Sequence, residues 1–457
     1  MEQNISRRRR SSSESEYEKN HRKKIRLSRR SQKKKPFSSR LVSWIALKKG
    51  SDPWITASTL LLMLIGTIMV ISTNLGTTVG DSAGFIRAAG KQFIYISVGY
   101  LIMMVMSKMF NMTRFGVWRW FVFLLFFGLM MLVLLFGVEI YGSRAWLNIF
   151  GFSLQPSEFA KPLVIASCGF ALKKARYHPR RKVSYFVLFK EPILFLGLTE
   201  LFVLLQHDIG TMIIIFLIFV ACTLVPNEKG EQFRNIRKVQ NWIRILGIAG
   251  LIVVYGTVFA TDIAEDVLSR IPGAYHISTR IRNMKNPYAD IYNEGYQPAN
   301  SLYSIGSAGL TGKGLGNSAR KYGYLTQAES DYILAVTIEE TGLIGLGAIT
   351  LLYVILIGQI YRYALRSDRT DEKVILCGTA TYLGIHFIIN VGGVGGLIPM
   401  TGVPLIFISA GGTSIAAACA AVGMAQAVVA SIRERERKGL LLPVEGQMAE
   451  QTAEKIR

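Results

Sequence analysis

Long apolar stretches broken by short polar clusters dominate this chain. A window of roughly 17 to 25 uncharged residues is long enough to cross a bilayer as a helix. Clear windows of this kind lie at 54–73, 92–107, 120–138, 209–225, 245–261 and 341–361. A further run, 374–431, holds 58 positions without a Lys, Arg, Asp or Glu. The Gly and Pro cluster at 392–404 divides it into spans near 374–391 and 405–431, because those residues break helices. Two weaker windows, 157–172 and 191–207, carry Glu158, Lys161 and Glu200. The pattern predicts an all-α polytopic integral membrane protein of about ten transmembrane helices.

Composition and charge orient those helices. Half of the 457 residues are apolar, and 53 basic against 30 acidic residues give a net charge of +23. Residues 1–50 alone hold 17 basic and 4 acidic side chains. This tail lacks the apolar periodicity that a core needs, so it reads as disordered. Placed just before a span, it fits anionic lipid headgroups and not nucleic acid, and it puts the N-terminus in the cytoplasm. The first apolar run lies some fifty residues in and is too long for a secretory signal. With ten spans, every even-numbered connection is basic, for example Lys108 and Arg114, or Arg362, Arg366 and Arg369. The tail at 433–457 opens with Arg433, Arg435, Arg437 and Lys438 and is expected to be cytoplasmic as well. The membrane domain then takes in 51–432, with one large extracytoplasmic loop at about 262–330. Cys168, Cys222, Cys377 and Cys419 lie inside apolar stretches without paired ligand spacing, which speaks against a disulfide framework or a zinc site.

Five groups hold candidate chemistry, since ionisable residues at membrane depth are costly and mark function by default. The first runs from 142 to 162 and contains Trp146, Gln155, Glu158 and Lys161. Glu158 and Lys161 share a helix face, and two readings stay open, a structural ion pair or the wall of a substrate cavity. Asp208, between two apolar runs, is either a helix cap or a site carboxylate. In the outer loop Arg280, Arg282, Lys313, Arg320 and Lys321 are candidates for phosphate, against a reading as solvated charge. Asp331 stands where that loop enters a span. There, partial burial can raise a carboxyl group toward the working range of a general base, although Ser330 and Asp331 are also capping types. Glu339 and Glu340 are adjacent and point about 100° apart on a helix, so one is expected to face the interior and the other to be held structurally. Finally, Ser409, Gly411 and Gly412 lie in 399–414, whose composition suits an irregular segment facing a polar cavity.

These groups, in this order, resemble the SEDS family of bacterial membrane glycosyltransferases, whose main branches are FtsW in division and RodA in elongation. The resemblance covers about 50–432 and is carried by QPSEFAK, GYQ, GKGLGNSARK, the SD pair before YILAVTIEETG, and TGVPL followed by FISAGGTS. GLGNS with its basic neighbours and the INVGGVGGLIPMTG run favour the division branch. The chain departs from the family pattern at His207, where proline is usual, at Ala145, at LTQ in 325–327, and at SAGG in place of SYGG. A sporulation-type paralogue therefore stays open.

The resemblance implies polymerisation of lipid II, an undecaprenyl-pyrophosphate-linked disaccharide peptide, into glycan strands at the division septum. Partners would be a class B penicillin-binding transpeptidase, other divisome membrane proteins and membrane lipids. Such transfer needs a base for the acceptor hydroxyl and charge compensation for the leaving pyrophosphate. Asp331 matches the family's reaction-centre acid and is assigned as the base. Arg280, Lys321 and Lys161 are candidates for the pyrophosphate, a divalent cation such as Mg or Mn could share that role, and Trp146 could stack on a sugar. Gly345, Gly347, Gly378 and Gly384 would either let the transpeptidase helix approach closely or pack the protein's own bundle. A lipid flippase, an elongation polymerase and a silent scaffold are the alternatives.

Overall fold

Asp52 starts the first long helix. Its carboxylate accepts hydrogen bonds from the backbone N–H of Trp54 and Ile55 at 2.8 and 3.0 Å, satisfying donors that a helix end leaves free, and Pro53 supplies a preset first turn. In this computed structural model α1 (Pro53–Thr77), α2 (Ser82–Met109) and α3 (Met112–Phe136) follow one another. A three-stranded antiparallel sheet, β1 (Val138–Ile140), β2 (Ser143–Ile149) and β3 (Phe152–Leu154), leads through a 3-10 turn, Pro156–Phe159, into α4 (Ala160–Arg176). Next come α5 (Tyr185–Leu188), α6 (Lys190–Leu205), α7 (Ile209–Leu224) and α8 (Arg234–Tyr255), the last ending in a π turn, Gly256–Ala260. A polar segment with α9 (Ile263–Ser269), α10 (Tyr275–Lys285), a 3-10 turn at Pro287–Asp290 and α11 (Tyr296–Ala308) precedes α12 (Ile333–Arg366), α13 (Thr370–Val394) and α14 (Gly412–Arg437). The structure describes residues 46–79, 81–140, 142–149, 151–176, 184–226, 234–270 and 275–440. The basic tail up to residue 45 and the segment after 440 lie outside the described residues.

The sheet corrects the all-α expectation. Buried Ala145 and Leu147 alternate with exposed Arg144 and Asn148, the period of two that a half-buried strand requires. Among the described residues seven helices, α1, α2, α3, α8, α12, α13 and α14, are long and apolar enough to cross a membrane. The other three expected spans fall on α4, α6 and α7, of 17, 16 and 16 residues. At 1.5 Å per residue these reach only about 24 to 26 Å, short of a hydrocarbon core of about 30 Å. Length therefore supports seven crossings directly.

Two boundaries differ from expectation in ways that shape the site. The helix α12 begins at Ile333, ahead of the expected 341, and is interrupted at Gly342, whose φ is 71°. A Cβ there would lie 2.2 Å from the Leu310 carbonyl oxygen, so only glycine permits this approach. The loop after α11 takes up the backbone groups freed by the break. Leu343 and Ile344 donate to the carbonyls of Gly309 and Leu310 at 3.1 Å each, and Lys313 and Gly314 donate to those of Glu339 and Glu340 at 2.9 and 3.0 Å. The last helix begins at Gly412, not 405, leaving 401–411 irregular between α13 and α14.

The core is built on α14, which is buried from Thr413 to Ala430 and packs chiefly against α2. Its alanines and Gly423 let the helices approach closely, the source of packing energy in lipid. The same helix carries Arg433, which bonds Asp52 Oδ2 at 2.5 Å and the Tyr363 hydroxyl at 2.7 Å, and Arg435, which bonds Glu372. The tail expected from 433 thus opens as helix, clamped to the starts and ends of neighbouring helices. Of the glycines offered for a partner, Gly378 packs against Cys222 and Ile165 inside the bundle, whereas Gly347 faces open space.

Candidate active site

Asp331 closes the polar segment just before α12. Its side chain is half-buried, and a Cβ added at exposed Gly402 would lie 3.5 Å from Oδ2, so the carboxyl group faces the irregular 401–411 segment. Main-chain and side-chain bonds lock the two together. Ser409 Oγ donates to the Ser330 carbonyl at 2.8 Å and accepts from the Leu405 N–H at 2.9 Å. The Ala410 N–H reaches the Glu329 carbonyl at 2.9 Å. From α13, Asn390 Nδ2 donates to the carbonyls of Asp331 and Val403 at 3.1 and 2.9 Å. Burial pushes the Asp331 carboxyl up to about 6, against the positive charge of Arg280 and a bond from Ser330, which hold it down. Arg280 itself is exposed on α10. A partly desolvated carboxylate with one cation beside it is suited to taking a proton near neutral pH.

A second carboxylate group braces the same segment from the other side. Asp208 caps α7 through the Thr211 N–H at 3.1 Å and accepts from Gln155 Nε2 at 2.9 Å. A Cβ at Gly210 would lie 3.0 Å from the Thr401 carbonyl oxygen, so the start of α7 rests on this segment. The Gln155 N–H donates to Thr413 Oγ1, which in turn donates to the Ser153 carbonyl, both at 3.1 Å. The sheet and the start of α14 are thereby tied together. His207, ahead of Asp208, has φ 59°, a left-handed conformation that stores strain in a residue with a side chain. Gly411 is the N-cap of α14, and a Cβ at Gly412 would strike the Tyr95 ring at 2.3 Å. Trp146 is half-buried on β2, opposite Val138.

Glu158, Lys161, Lys321, Glu339 and Glu340 are buried and already partnered, whereas Arg282 is exposed on α10. Lys161 Nζ lies 2.6 Å from Glu158 Oε1, with side chains 1% and 4% exposed, and sits 5.5 Å from the Tyr382 ring centroid. That is a desolvated ion pair within the bundle. Lys321, expected at phosphate, is fully buried and bonds Glu340 Oε1 at 2.9 Å, the Gly316 carbonyl at 2.6 Å and Ser72 Oγ at 3.2 Å. Glu340 also accepts from Ser72 at 2.7 Å. Glu339 meets Lys313 at 2.6 Å and Ser318 at 2.5 Å. Both glutamates are therefore buried structural ties between α1, the loop and α12, where one was expected to face the interior and the other to be held structurally. Asn390 was not anticipated. An amide in an uncharged run gives no charge signal, although a lone Asn inside such a run is costly and marks a partner.

Among the described residues no three His, Cys, Asp or Glu side chains come together as a cation cage. The donor set around Asp331 supplies one carboxylate and a cationic Arg280, which does not fit a protein-held metal.

Comparison with known proteins places this architecture. The family model described as cell cycle protein, covering FtsW, RodA and SpoVE, matches residues 53–435, and the chain belongs to that family. Within it the similarity to FtsW and to the sporulation branch is high. The probable peptidoglycan glycosyltransferase FtsW of Coxiella burnetii is 30% identical over 381 residues, covering 82% of this chain and 94% of the relative. Stage V sporulation protein E of Bacillus subtilis is 31% identical over 383 residues, with 82% and 96% covered. The fold matches a chain of a peptidoglycan synthase complex that coordinates polymerization and crosslinking, at TM-score 0.63 and 21% identity over 84% of this chain and 99% of that one. It also matches the rod shape determining protein RodA of Thermus thermophilus, at TM-score 0.54 and 20% identity over 83% and 96%.

Proposed function

We propose that this FtsW-like peptidoglycan glycosyltransferase polymerises glycan strands from lipid II, with Asp331 as the base. The observation that carries the reading is a half-buried carboxyl, raised to about 6, at the junction of the polar segment and α12 with Arg280 beside it. The acceptor hydroxyl gives its proton to Asp331 as its oxygen bonds to the anomeric carbon of the donor. The bond from that carbon to the pyrophosphate oxygen breaks, and its electron pair leaves with the phosphate. Attack opposite an α-linked leaving group inverts the centre to a β-linkage. Arg280 offsets the charge that develops on the pyrophosphate. Lys161 and Lys321 are withdrawn from that role, since each ammonium is spent on a buried glutamate. A divalent cation, Mg or Mn, would be carried by the pyrophosphate oxygens.

The same reading counts α4, α6 and α7 as crossings, tilted or in locally thinned bilayer. Ten spans put both termini in the cytoplasm and the polar segment 262–330 outside, where the basic connections require it. Similarity to FtsW, and to a chain of a synthase complex that joins polymerization to crosslinking, supports a role at the septum beside a class B transpeptidase. The test is the purified full chain in detergent supplied with lipid II. Glycan strands that vanish with Asp331→Asn are expected. Absence of any strand from the parent protein, with or without a transpeptidase, would overturn the reading, and lipid II transfer across vesicles in its place would mark a flippase.

A further inference from the structure

A group of tyrosines on the polar segment takes no part in the reaction proposed above. Tyr288, on the 3-10 turn after α10, has its ring centroid 5.6 Å from that of Tyr303 on α11. The Arg320 guanidinium stands 5.8 Å from the Tyr303 ring and 5.9 Å from the Tyr324 ring. The three rings are 48%, 45% and 48% exposed, so each keeps a substantial part of its surface in solvent. Arg320 comes within 3.8 Å of Glu339, yet its Nε, shielded from solvent, has no hydrogen-bond partner. A contiguous exposed aromatic surface is uncommon on a protein that has no ligand for it.

The chemistry of this surface is selective. A pyranose ring presents a C–H face that stacks on an aromatic ring, while its rim of hydroxyls meets the phenol O–H. A guanidinium is suited to carboxylates, and its cation–π contacts hold the rings in place. The three rings and the guanidinium are placed as a strip, not as a closed pocket. The strip is joined along the chain to the reaction centre: Arg280, whose charge acts on Asp331, lies on the helix that leads directly into the turn bearing Tyr288. On the far side, α11 is tied to α12 through Ser304 and Glu339 at 3.4 Å.

We infer that Tyr288, Tyr303, Arg320 and Tyr324 form a binding track for a β-linked amino-sugar strand bearing carboxylates. The inference rests on the polymerase reading, in which such a strand is made at Asp331 and must lie across this segment as it grows. The track holds the strand between additions, so it governs how many sugars are joined before release.

The probe is a purified, lipid-free, uncross-linked glycan oligosaccharide, titrated into the full-length protein in detergent. Tyr303→Ala and Tyr324→Ala are expected to weaken its binding by about fivefold or more each. They should also shorten the strands made from lipid II when products are compared at matched donor consumption. Tyr303→Phe keeps the ring and should keep both properties. Because the rings are exposed, melting temperatures should stay close to the parent's. Parental affinity and parental strand length in both alanine variants would overturn the track. So would a loss confined to co-purification with a transpeptidase, which would make the strip a protein interface, and rings that only anchor in lipid would likewise leave oligosaccharide binding unchanged. A parent protein that binds the oligosaccharide but makes no strands would instead count against the polymerase reading alone.

Discussion

Asn390 holds the main chain of Asp331 in place, its Nδ2 donating to the Asp331 carbonyl at 3.1 Å. The same amide bonds the Val403 carbonyl at 2.9 Å. One side chain on α13 therefore sets the distance between the carboxylate-bearing turn and the loop that faces it. Asn390→Leu removes both donors and leaves two carbonyls short of a partner, at a cost of about 1 to 3 kcal/mol each when buried. Strand synthesis is expected to fall tenfold or more, since misplacement by about 1 Å can cost about a hundredfold. Assay of lipid II consumption beside a thermal melt checks this, and full activity in a destabilised variant would show that the clamp serves folding only.

The pH profile carries a second expectation. A base raised to about 6 is charged above that pH and protonated below it, so polymerisation should climb with pH through about 6 and level off above 7. One unit below the midpoint, about a tenth of the molecules hold the active form. Initial rates between pH 5 and 8 at constant ionic strength measure this. A flat profile would remove Asp331 from the proton transfer.

Glu158 and Lys161 invite a double-mutant cycle. Lys161→Met strands a buried carboxylate and should cost about 3 to 5 kcal/mol. Adding Glu158→Gln removes that charge and should restore most of the stability. Melting of the two single variants and the double variant reads the coupling, and additive losses would mean that the pair does not act as an ion pair.

His207 tests the turn before Asp208. Its φ of 59° is closed to proline, which is fixed near −65°. His207→Pro should therefore displace Asp208 and lower stability, whereas His207→Gly should be neutral or stabilising by up to about 1 kcal/mol. Tm and activity of both variants decide it. A proline variant equal to the parent would show that the turn relaxes freely.

The apolar runs made α1, α2, α3 and α13 legible, because a helix in lipid needs little beyond length and lack of charge. The sheet was hidden since Ser143 to Leu154 reads as a loop when its alternation is not counted. Asp331 stood out as a carboxylate at a loop-to-span junction, and its environment follows from that position. Lys321 was misread for a physical reason. A lysine in a glycine-rich stretch looks solvated, and nothing local announces that Glu340 and Ser72, from α12 and α1, will enclose it. The kink at Gly342 was likewise invisible, because the helix break is stabilised by carbonyls of a loop some thirty residues earlier.

The burial of α14 has a consequence for biogenesis. Ribosomes deliver this helix after α1 to α13, yet α2, synthesised some three hundred residues earlier, is its principal partner. Until it arrives, the preceding helices lack their central partner, with inward surfaces such as Gly99 and Met103 unsatisfied. Assembly is thus deferred until α14 has been made. A nascent chain halted before residue 412 would remain a loose set of inserted segments, exposed to membrane proteases, rather than a partly working enzyme.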